Sequence, residues 1–510
     1  MRHRTGVQSA GLVALGLLAG CGQSSSLSGT VSGARGATIA MTGPVAAQRV
    51  ASADGTFSFT DLPSGPYSLS PSLAGYTFVP ASRSIELAGT SVSGQDFVAT
   101  GAPGLLDSVF GDGGTEVVDV PGGTDTGAAA VAVQQDGRIL LVGTAYVQSA
   151  SFFSNLHAHR LLPDGRPDPA FGAGGGAAAG DGTRFCTGTA VAVQADGKVV
   201  AAGGCNPETF GQPGAFLVAR FEADGGLDGR FGAGGIVLTP FESGPAEARG
   251  VALLPGGAVV VAGLSQGTNL DGHVALARYD TDGKLDPSFG DGGTTVTILG
   301  TGCTTEAMAL QEDGSILVTG GVGLPDAGQR MFVARYTAAG SLDPGFGDDG
   351  FATAPAFPVE VYPSTVDSAY AVAAQKDGKI LAAGAGSLGG LSVTLALARW
   401  TPDGRMDPSF GGRDRAAPGT VTAFGLGSLA RAIALLPDGR FMIGGKGSYQ
   451  FELSRWNADG TVDPSFGNQG SVFTTITGGD QLHALALQQD GKILAAGISS
   501  VWYSVARYWP

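Results

Sequence analysis

The dipeptide Phe-Gly returns at Phe110, Phe171, Phe231, Phe289, Phe346, Phe410 and Phe466, at spacings of 61, 60, 58, 57, 64 and 56 residues. No other feature constrains the fold as much, because a long period recurring along a chain means one structural unit built many times over. The fullest copy of the unit reads LALARYDTDGKLDPSFGDGG, near residues 274–293. Between successive markers lie further runs of β character; in the first repeat these are TEVVDV, the hairpin AVAVQQDGRILLVG, and LHAHRLLPDG. Each repeat therefore offers four short strands.

Four strands per unit, tight turns and seven units fit a β-propeller. The 87 glycines beside short Val, Ile, Leu and Ala runs, with no amphipathic helical period after residue 20, give an all-β class, and 43% hydrophobic residues suffice for a large core. Asp-Gly at Asp136, Asp196, Asp313, Asp377, Asp438 and Asp490 supplies the positive φ of a tight hairpin. The runs beside these turns (AVAVQ twice, VALL, AMALQ, AVAAQ, AIALL, ALALQ) are rich in Ala, which places them innermost, at a crowded axis, with the TEVVDV-type run outermost. The Phe of Phe-Gly is expected to wedge between neighbouring sheets.

The runs RILLVG, KVVAAG, AVVVAG, SILVTG, KILAAG, RFMIGG and KILAAG, taken with ARY/ARF/ARW and LDPSFG, resemble the bacterial delta-60 β-propeller repeat. The departures are local: Gly256 replaces the turn Asp in the third copy, and Gly412-Arg413 follows the sixth Phe-Gly. This resemblance implies a fold and a surface location, with no defined reaction.

At the N-terminus, Arg2 and Arg4 precede an apolar run from Val7 to Leu18, the layout of a secretory signal and too short for a membrane span. Leu18-Ala19-Gly20-Cys21 resembles a bacterial lipobox, which implies acyl chains on Cys21, a membrane partner through them, and, with Gly22 following, the outer membrane. The expected organisation is a signal over 1–20, a lipidated Cys and Ser-rich tether over 21–27, a small β-sandwich over 28–100, a linker over 101–104 and the repeats over 105–510. In the sandwich region Gly55, Phe57, Phe59, Leu62, Pro63, Gly65, Tyr67, Leu69, Gly75, Tyr76, Phe78 and Pro80 resemble the carboxypeptidase-regulatory-like domain, a prealbumin-type fold that carries no chemistry of its own. Tyr67 and Tyr76 are expected in its core, and the module is expected to serve as a spacer.

Without Arg2 and Arg4 the chain has 27 basic against 44 acidic residues, a formal charge of −17, the wrong sign for a nucleic-acid partner. Many of the carboxylates serve Asp-Gly turns. A self-repelling surface suits a monomer. Cys186 and Cys205 bracket the hairpin AVAVQADGKVVAAG and could form a disulfide in an exported compartment, while Cys303 is left as a buried filler.

An arginine holds one position in each repeat (Arg160, Arg220, Arg278, Arg335, Arg399, Arg455, Arg507), and an aspartate follows in the LDPSFG element (Asp107, Asp168, Asp228, Asp286, Asp343, Asp407, Asp463). Their fixed offset of eight residues favours structural pairs such as Arg278 with Asp286 over an anion site. His157 and His159 lack companions at metal-ligand spacing, and the common hydrolase, zinc and calcium motifs do not occur. No cofactor, metal site or catalytic residue is expected.

What remains is a binding or scaffolding lipoprotein of the cell envelope with a glycan or protein ligand; the alternative is a propeller hydrolase or lyase acting on an extracellular polysaccharide or glycoconjugate. The Asp-Gly hairpins and LDPSFGDGG connections must share one face, and the variable connections the other. Variable loops on a rigid repeat are where binding usually sits, so Tyr146, Phe153, Phe210, Phe241, Glu360 and Tyr362 are the candidate ligand contacts. The last repeat stops after Ala506-Arg507-Tyr508, and its missing half stands at Leu105 to Gly111. Arg507 should therefore stand to Asp107 as Arg278 stands to Asp286, with the TEVVDV strand closing the last sheet and removing exposed edges.

Overall fold

The computed structural model describes residues 25–120, 123–147, 153–207, 213–241, 244–267, 271–325, 328–354, 365–388, 393–411, 418–423, 429–447 and 449–510. Among them every regular element is a β-strand. The chain divides into two compact units, residues 1–100 and 101–510.

In the first unit one sheet has the order Thr56–Leu62, Ser25–Ser32, Phe97–Gly101, Tyr76–Val79, and a second has the order Ala47–Val50, Thr38–Thr42, Gly65–Ser72, Arg83–Leu87. Period-two alternation decides which side chains meet: Phe57, Phe59 and Leu62 of one strand join Leu27, Ile39, Met41, Leu69 and Phe97 in a single core. Tyr67 belongs to that core, and its hydroxyl donates to the Pro63 carbonyl at 3.0 Å. Regular structure starts earlier than the expected boundary at residue 28. Leu27 is fully buried and pairs with Phe59, and the Ser26 carbonyl accepts from the Val92 amide at 2.8 Å, so Ser25 to Leu27 are strand and not tether.

In the second unit each repeat contributes an antiparallel four-stranded sheet to a β-propeller. The third repeat shows the plan, with strands Ala246–Leu253, Val259–Gln266, Gly272–Tyr279 and Thr294–Thr297 in that order across the sheet. Single parallel bridges, Ser154 to Phe185 and Gln329 to Val366, fuse the first two repeats and the fourth and fifth into larger sheets. The Ala-rich strands are innermost. Each lies against the corresponding strand of the next repeat, and Gln481–Leu487 of the last lies against Gly123–Val133 of the first.

The outer strand of the seventh repeat is Thr115–Val118, paired antiparallel with Trp502–Tyr508 so that Tyr503 opposes Val118 and Ala506 opposes Thr115. The split turn is rebuilt from both pieces of chain. Gly104 N donates to the Trp509 carbonyl and Trp509 N to the Leu105 carbonyl, both at 2.9 Å. In the third repeat the same turn is one segment, with Gly283 N on the Asp280 carbonyl and Asp280 N on that of Lys284. Residues 102–104, expected as a linker, are thus part of the last repeat. Pro103 also accepts from Gly467 N at 3.0 Å.

Candidate functional site

The face carrying the Asp-Gly hairpins is built by charge. In all seven repeats the arginine Nε lies 2.8–2.9 Å from the Oδ2 of its aspartate, including Arg507 with Asp107 at 2.8 Å and Arg278 with Asp286 at 2.9 Å. The guanidinium also lies 4.5–5.0 Å over the ring of its own Phe-Gly phenylalanine. It reaches onward to a carbonyl of the next repeat: Arg160 to Ala223, Arg220 to Thr281, Arg278 to Ala338 and Arg335 to Pro402 at 2.5–2.7 Å, and Arg399 to Ala458. Arg507 bonds Pro163 of the first repeat in the same way, at 2.5 Å. Carboxylate, ring and carbonyl together leave the arginine few free donors, so these arginines are a set of clamps between repeats.

A second cation escapes the sequence reading. The residue after the hairpin glycine also meets the aspartate: Arg138 with Asp168 at 2.9 Å, Lys198 with Asp228 at 2.8 Å, Lys379 with Asp407 at 3.1 Å, Arg440 with Asp463 at 2.6 Å and Lys492 with Asp107 at 3.0 Å. Repeats three and four have Ala258 and Ser315 there instead. Their aspartates, Asp286 and Asp343, expose 29% and 25% of the side chain, against 9% or less in the other five. Burial works against the charged form of Asp407, but the Ser409 hydroxyl and amide, Lys379 and Arg399 outweigh it and hold its pKa at about 2.

Of the six loop residues expected to touch a ligand, Phe210, Glu360 and Tyr362 lie outside the described residues, as does Cys21. Tyr146 is exposed and sits one rung from the half-buried Phe153 in the first repeat. Phe241 is half-buried: its ring packs 4.5 Å from that of Phe216, against the core between repeats two and three. The cause is the apolar wall at the entry to the inner strand, which offers a loop phenylalanine more buried contact than solvent does. Cys186 and Cys205 stand opposite each other and are joined by a disulfide. Cys303 is buried and unbridged, its thiol pushed up to about 12 by desolvation.

The most varied chemistry lies where the sequence reading placed only small residues. At one shared position six of the inner strands slip register and leave a residue unopposed: Ala129, Arg249, Glu306, Tyr370, Arg431 and His483; those of repeats one and four slip a second time nearer their starts. In the second repeat the strand breaks at the equivalent Thr189, whose amide still bonds the Ala202 carbonyl at 2.9 Å. A β-bulge re-aims its side chain. Here the bulged residues turn toward the space enclosed by the inner strands, since residues from different repeats meet. The Arg431 guanidinium lies 4.8 Å over the Tyr370 ring of the preceding repeat. Burial raises the pKa of Glu306, while Arg249 and Arg431 pull it down. Glu306 belongs to repeat four and Arg431 to repeat six, with Tyr370 of repeat five between them in the ring of inner strands.

The wall continues with Glu247, which pairs with Arg249 at 2.8 Å and accepts from the Thr187 hydroxyl at 2.6 Å. His483 Nδ1 lies 3.1 Å from the Ala128 carbonyl, so Nδ1 carries the proton and Nε2 is left as an acceptor. Burial, with Arg431 and Lys446 nearby, lowers its pKa to about 4. Each bulged residue stands four residues before the end of its inner strand, which is near the variable connections in repeats three, six and seven and mid-strand in repeats one, four and five. Among the described residues no group of three or more His, Cys, Asp or Glu is arranged to hold a metal.

Six segments, 134–171, 194–231, 255–289, 311–346, 375–410 and 436–466, match the family described as "Domain of unknown function (DUF5122) beta-propeller". Each runs from hairpin to Phe-Gly; the seventh such stretch is divided between the two ends of the repeat region. No curated protein matches the sequence. Among solved structures, a glucose dehydrogenase is 11% identical, with 62% of this chain and 95% of that one covered and a TM-score of 0.34. A protein from Lactobacillus plantarum is 14% identical (68% and 88% covered, TM-score 0.37), and one of unknown function from Dyadobacter fermentans is 13% identical (78% and 97%, TM-score 0.37). At these values none lends this chain an activity. The matched segments and the four-stranded sheets together make the repeat region of this chain a β-propeller.

Proposed function

We propose that this chain is a lipid-anchored, seven-bladed β-propeller of the cell envelope that binds a ligand at the end of its axis bearing the variable connections. The observation that carries this is the bulge position. In a frame where hairpin, arginine, aspartate and Phe-Gly recur, one inward position holds Ala129, Thr189, Arg249, Glu306, Tyr370, Arg431 and His483, no two alike except the two arginines. A structural requirement would repeat; chemical variety at a fixed geometry is what recognition uses. Exposed Tyr146 adds an aromatic side chain on that face. The N-terminal unit, in this reading a prealbumin-type sandwich, spaces the propeller from the membrane.

The test is a glycan and peptidoglycan-fragment binding array with the full chain carrying Cys21→Ser, run beside an activity screen. Retention of a defined ligand without turnover supports the reading. Product release would favour a hydrolase or lyase. For the anchor, the unsubstituted chain should fractionate with membranes after a high-salt wash and the Cys21→Ser chain should not.

A further inference from the structure

The strands that wall the axis rise least over repeats six and seven. The second strand runs three or four residues past its constant glycine in repeats one to five, but only two past Gly445 and Gly497. Two residues then join it to the third strand, against three to eight in the other five repeats. At about 3.3 Å per residue the wall is ~3–7 Å lower in this sector.

Two cations of that sector lack a carboxylate. Arg431 holds the bulge position in repeat six, as Arg249 does in repeat three. Arg249 is neutralised at 2.8 Å by Glu247, two residues earlier, where repeat six has Leu429. Arg431 accordingly makes no ion pair with a described residue, and its guanidinium lies 4.8 Å over the Tyr370 ring. Lys446 stands opposite Leu429 on the second strand, where the other repeats have Thr144, Gly204, Leu264, Gly321, Ala385 and Ile498. It too makes no ion pair with a described residue, and its ammonium lies 5.4 Å over the Tyr449 ring. Tyr449 forms the tip of the short connection at φ 67°, 67% exposed. The carboxylates of the neighbourhood are held elsewhere. Lys446 opposes Phe451 and shares its face of the sheet, in the core toward repeat seven, so Glu452 points to the other face. Asp480 is fully buried and accepts from the Ile476 amide at 2.7 Å. Glu306 of repeat four makes an ion pair with neither cation.

We propose that Arg431, Lys446 and Tyr449 bind a polyuronate, an acidic glycan chain laid over the low sector of the rim, with carboxylates on the two cations and a sugar ring against Tyr449. This rests on the reading that ligands engage the end of the axis bearing the variable connections, and it names their class. Two unmatched cations on adjoining strands ask for two negative charges at a fixed spacing. A polymer with one carboxylate on each sugar supplies them, and a neutral glycan does not. The guanidinium presents a planar fork to a carboxylate, and its stacking on Tyr370 holds that fork in place. Positive φ is unfavourable for tyrosine, and a glycine would meet the turn without strain, but only an aromatic offers a flat apolar face. An acidic peptide added as a strand needs a free sheet edge, whereas the rim here consists of hairpin turns. Nucleic acid carries a denser charge, which the 44 acidic residues of this chain against 29 basic would repel.

Isothermal titration of the full Cys21→Ser chain with polygalacturonate and with alginate tests this, with dextran and poly-L-glutamate as controls. At least one polyuronate should bind tenfold or more tightly than either control. Lys446→Gln and Tyr449→Ala should each weaken it fivefold or more, and Arg431→Gln tenfold or more. If Arg431→Gln does not fold, Arg431→Lys, which keeps the charge and loses the fork, should still weaken it fivefold. Arg405→Gln removes an exposed cation from the opposite face and should leave the affinity within twofold, which separates this site from a general loss of positive charge. No binding of either polyuronate, equal binding of dextran, tighter binding of poly-L-glutamate, or an unaffected Lys446→Gln or Tyr449→Ala overturns the proposal. An array ligand still retained by the Lys446→Gln and Tyr449→Ala variants overturns this site alone; an array that retains nothing sinks the binding function as well.

Discussion

The aspartate of each clamp sits under one cation or two, and the difference is written in a single residue. Lys198 follows its hairpin glycine and closes Asp228 to 1% exposure; Ala258 follows the equivalent glycine and leaves Asp286 open. Burial costs a carboxylate its hydration, so the closed form gains only because two donors replace the water. Lys198→Ala should therefore destabilise the protein by about 1–2 kcal/mol, less than the loss of a sole buried partner, because Arg220 stays. Ala258→Lys should stabilise it by only about 0.3–1 kcal/mol, because its pair is partly exposed. Urea unfolding of both variants checks this. Equal and opposite shifts would mean that burial of the aspartate plays no part.

At the scale of the element, the glycine inside the second strand of every repeat finds its reason in the bulge. A Cβ on Gly143, Gly203, Gly263, Gly320, Gly384, Gly445 or Gly497 would run into an inner-strand carbonyl, that of Glu247 in the case of Gly263. The extra residue of the bulge pushes this carbonyl toward the second strand. The runs VVVAG and KILAAG are therefore the complement of the bulged Arg249 and Tyr370. Gly263→Ala should cost about 3 kcal/mol or more, since backbone must move. Gly292→Ala, at φ +60° with open space around it, should cost only about 1 kcal/mol. A smaller loss at Gly263 than at Gly292 would show that the inner strand yields easily.

The same contrast separates what was legible in the sequence from what was not. Strand number, inner and outer order and the eight-residue Arg–Asp offset were readable because each recurs and each has one physical reason. The bulged residues were not, because Arg249, Glu306 and His483 share no residue type; their only signal is that they come just before the Ala-rich run. That Phe241 packs on Phe216 was not legible either, because an aromatic in a variable loop reads the same whether it faces solvent or a core. Ser25 to Leu27 were misjudged because serine-rich composition hid one buried leucine.

Over the whole molecule, the seam between the last repeat and the first differs from the other six in its histidines. His157 and His159 stack with ring centroids 6.2 Å apart on the first repeat, His157 lies 6.1 Å from the ring of Tyr503 of the seventh, and the Tyr503 hydroxyl donates to the His157 carbonyl at 3.3 Å. His483 of the seventh repeat bonds Ala128 of the first. Burial lowers the pKa of each to about 4, with added repulsion from His157 at His159 and from Arg431 and Lys446 at His483. The folded seam holds these rings neutral while the unfolded chain takes up protons below about 6.5. Their contribution is therefore complete above pH 6.5, falls as the pH drops toward 4 and levels off below that. At pH 5 the loss is on the order of 1–2 kcal/mol for each histidine. Asp228, Asp407 and Asp463 do not enter this window, since Asp407 titrates at about 2 and the other two lower still. Glu452, raised to about 7 by burial, acts in the opposite direction and gains stability over the same range. A difference between two chains that both carry Glu452 cancels it. The double variant His157→Gln, His159→Gln should lose less stability than the unsubstituted chain between pH 7 and pH 5, by about 2–4 kcal/mol in urea unfolding. Parallel pH profiles for the two chains would mean that the seam histidines are reached by water in the folded state and that acid does not act where the ends of the repeat region meet.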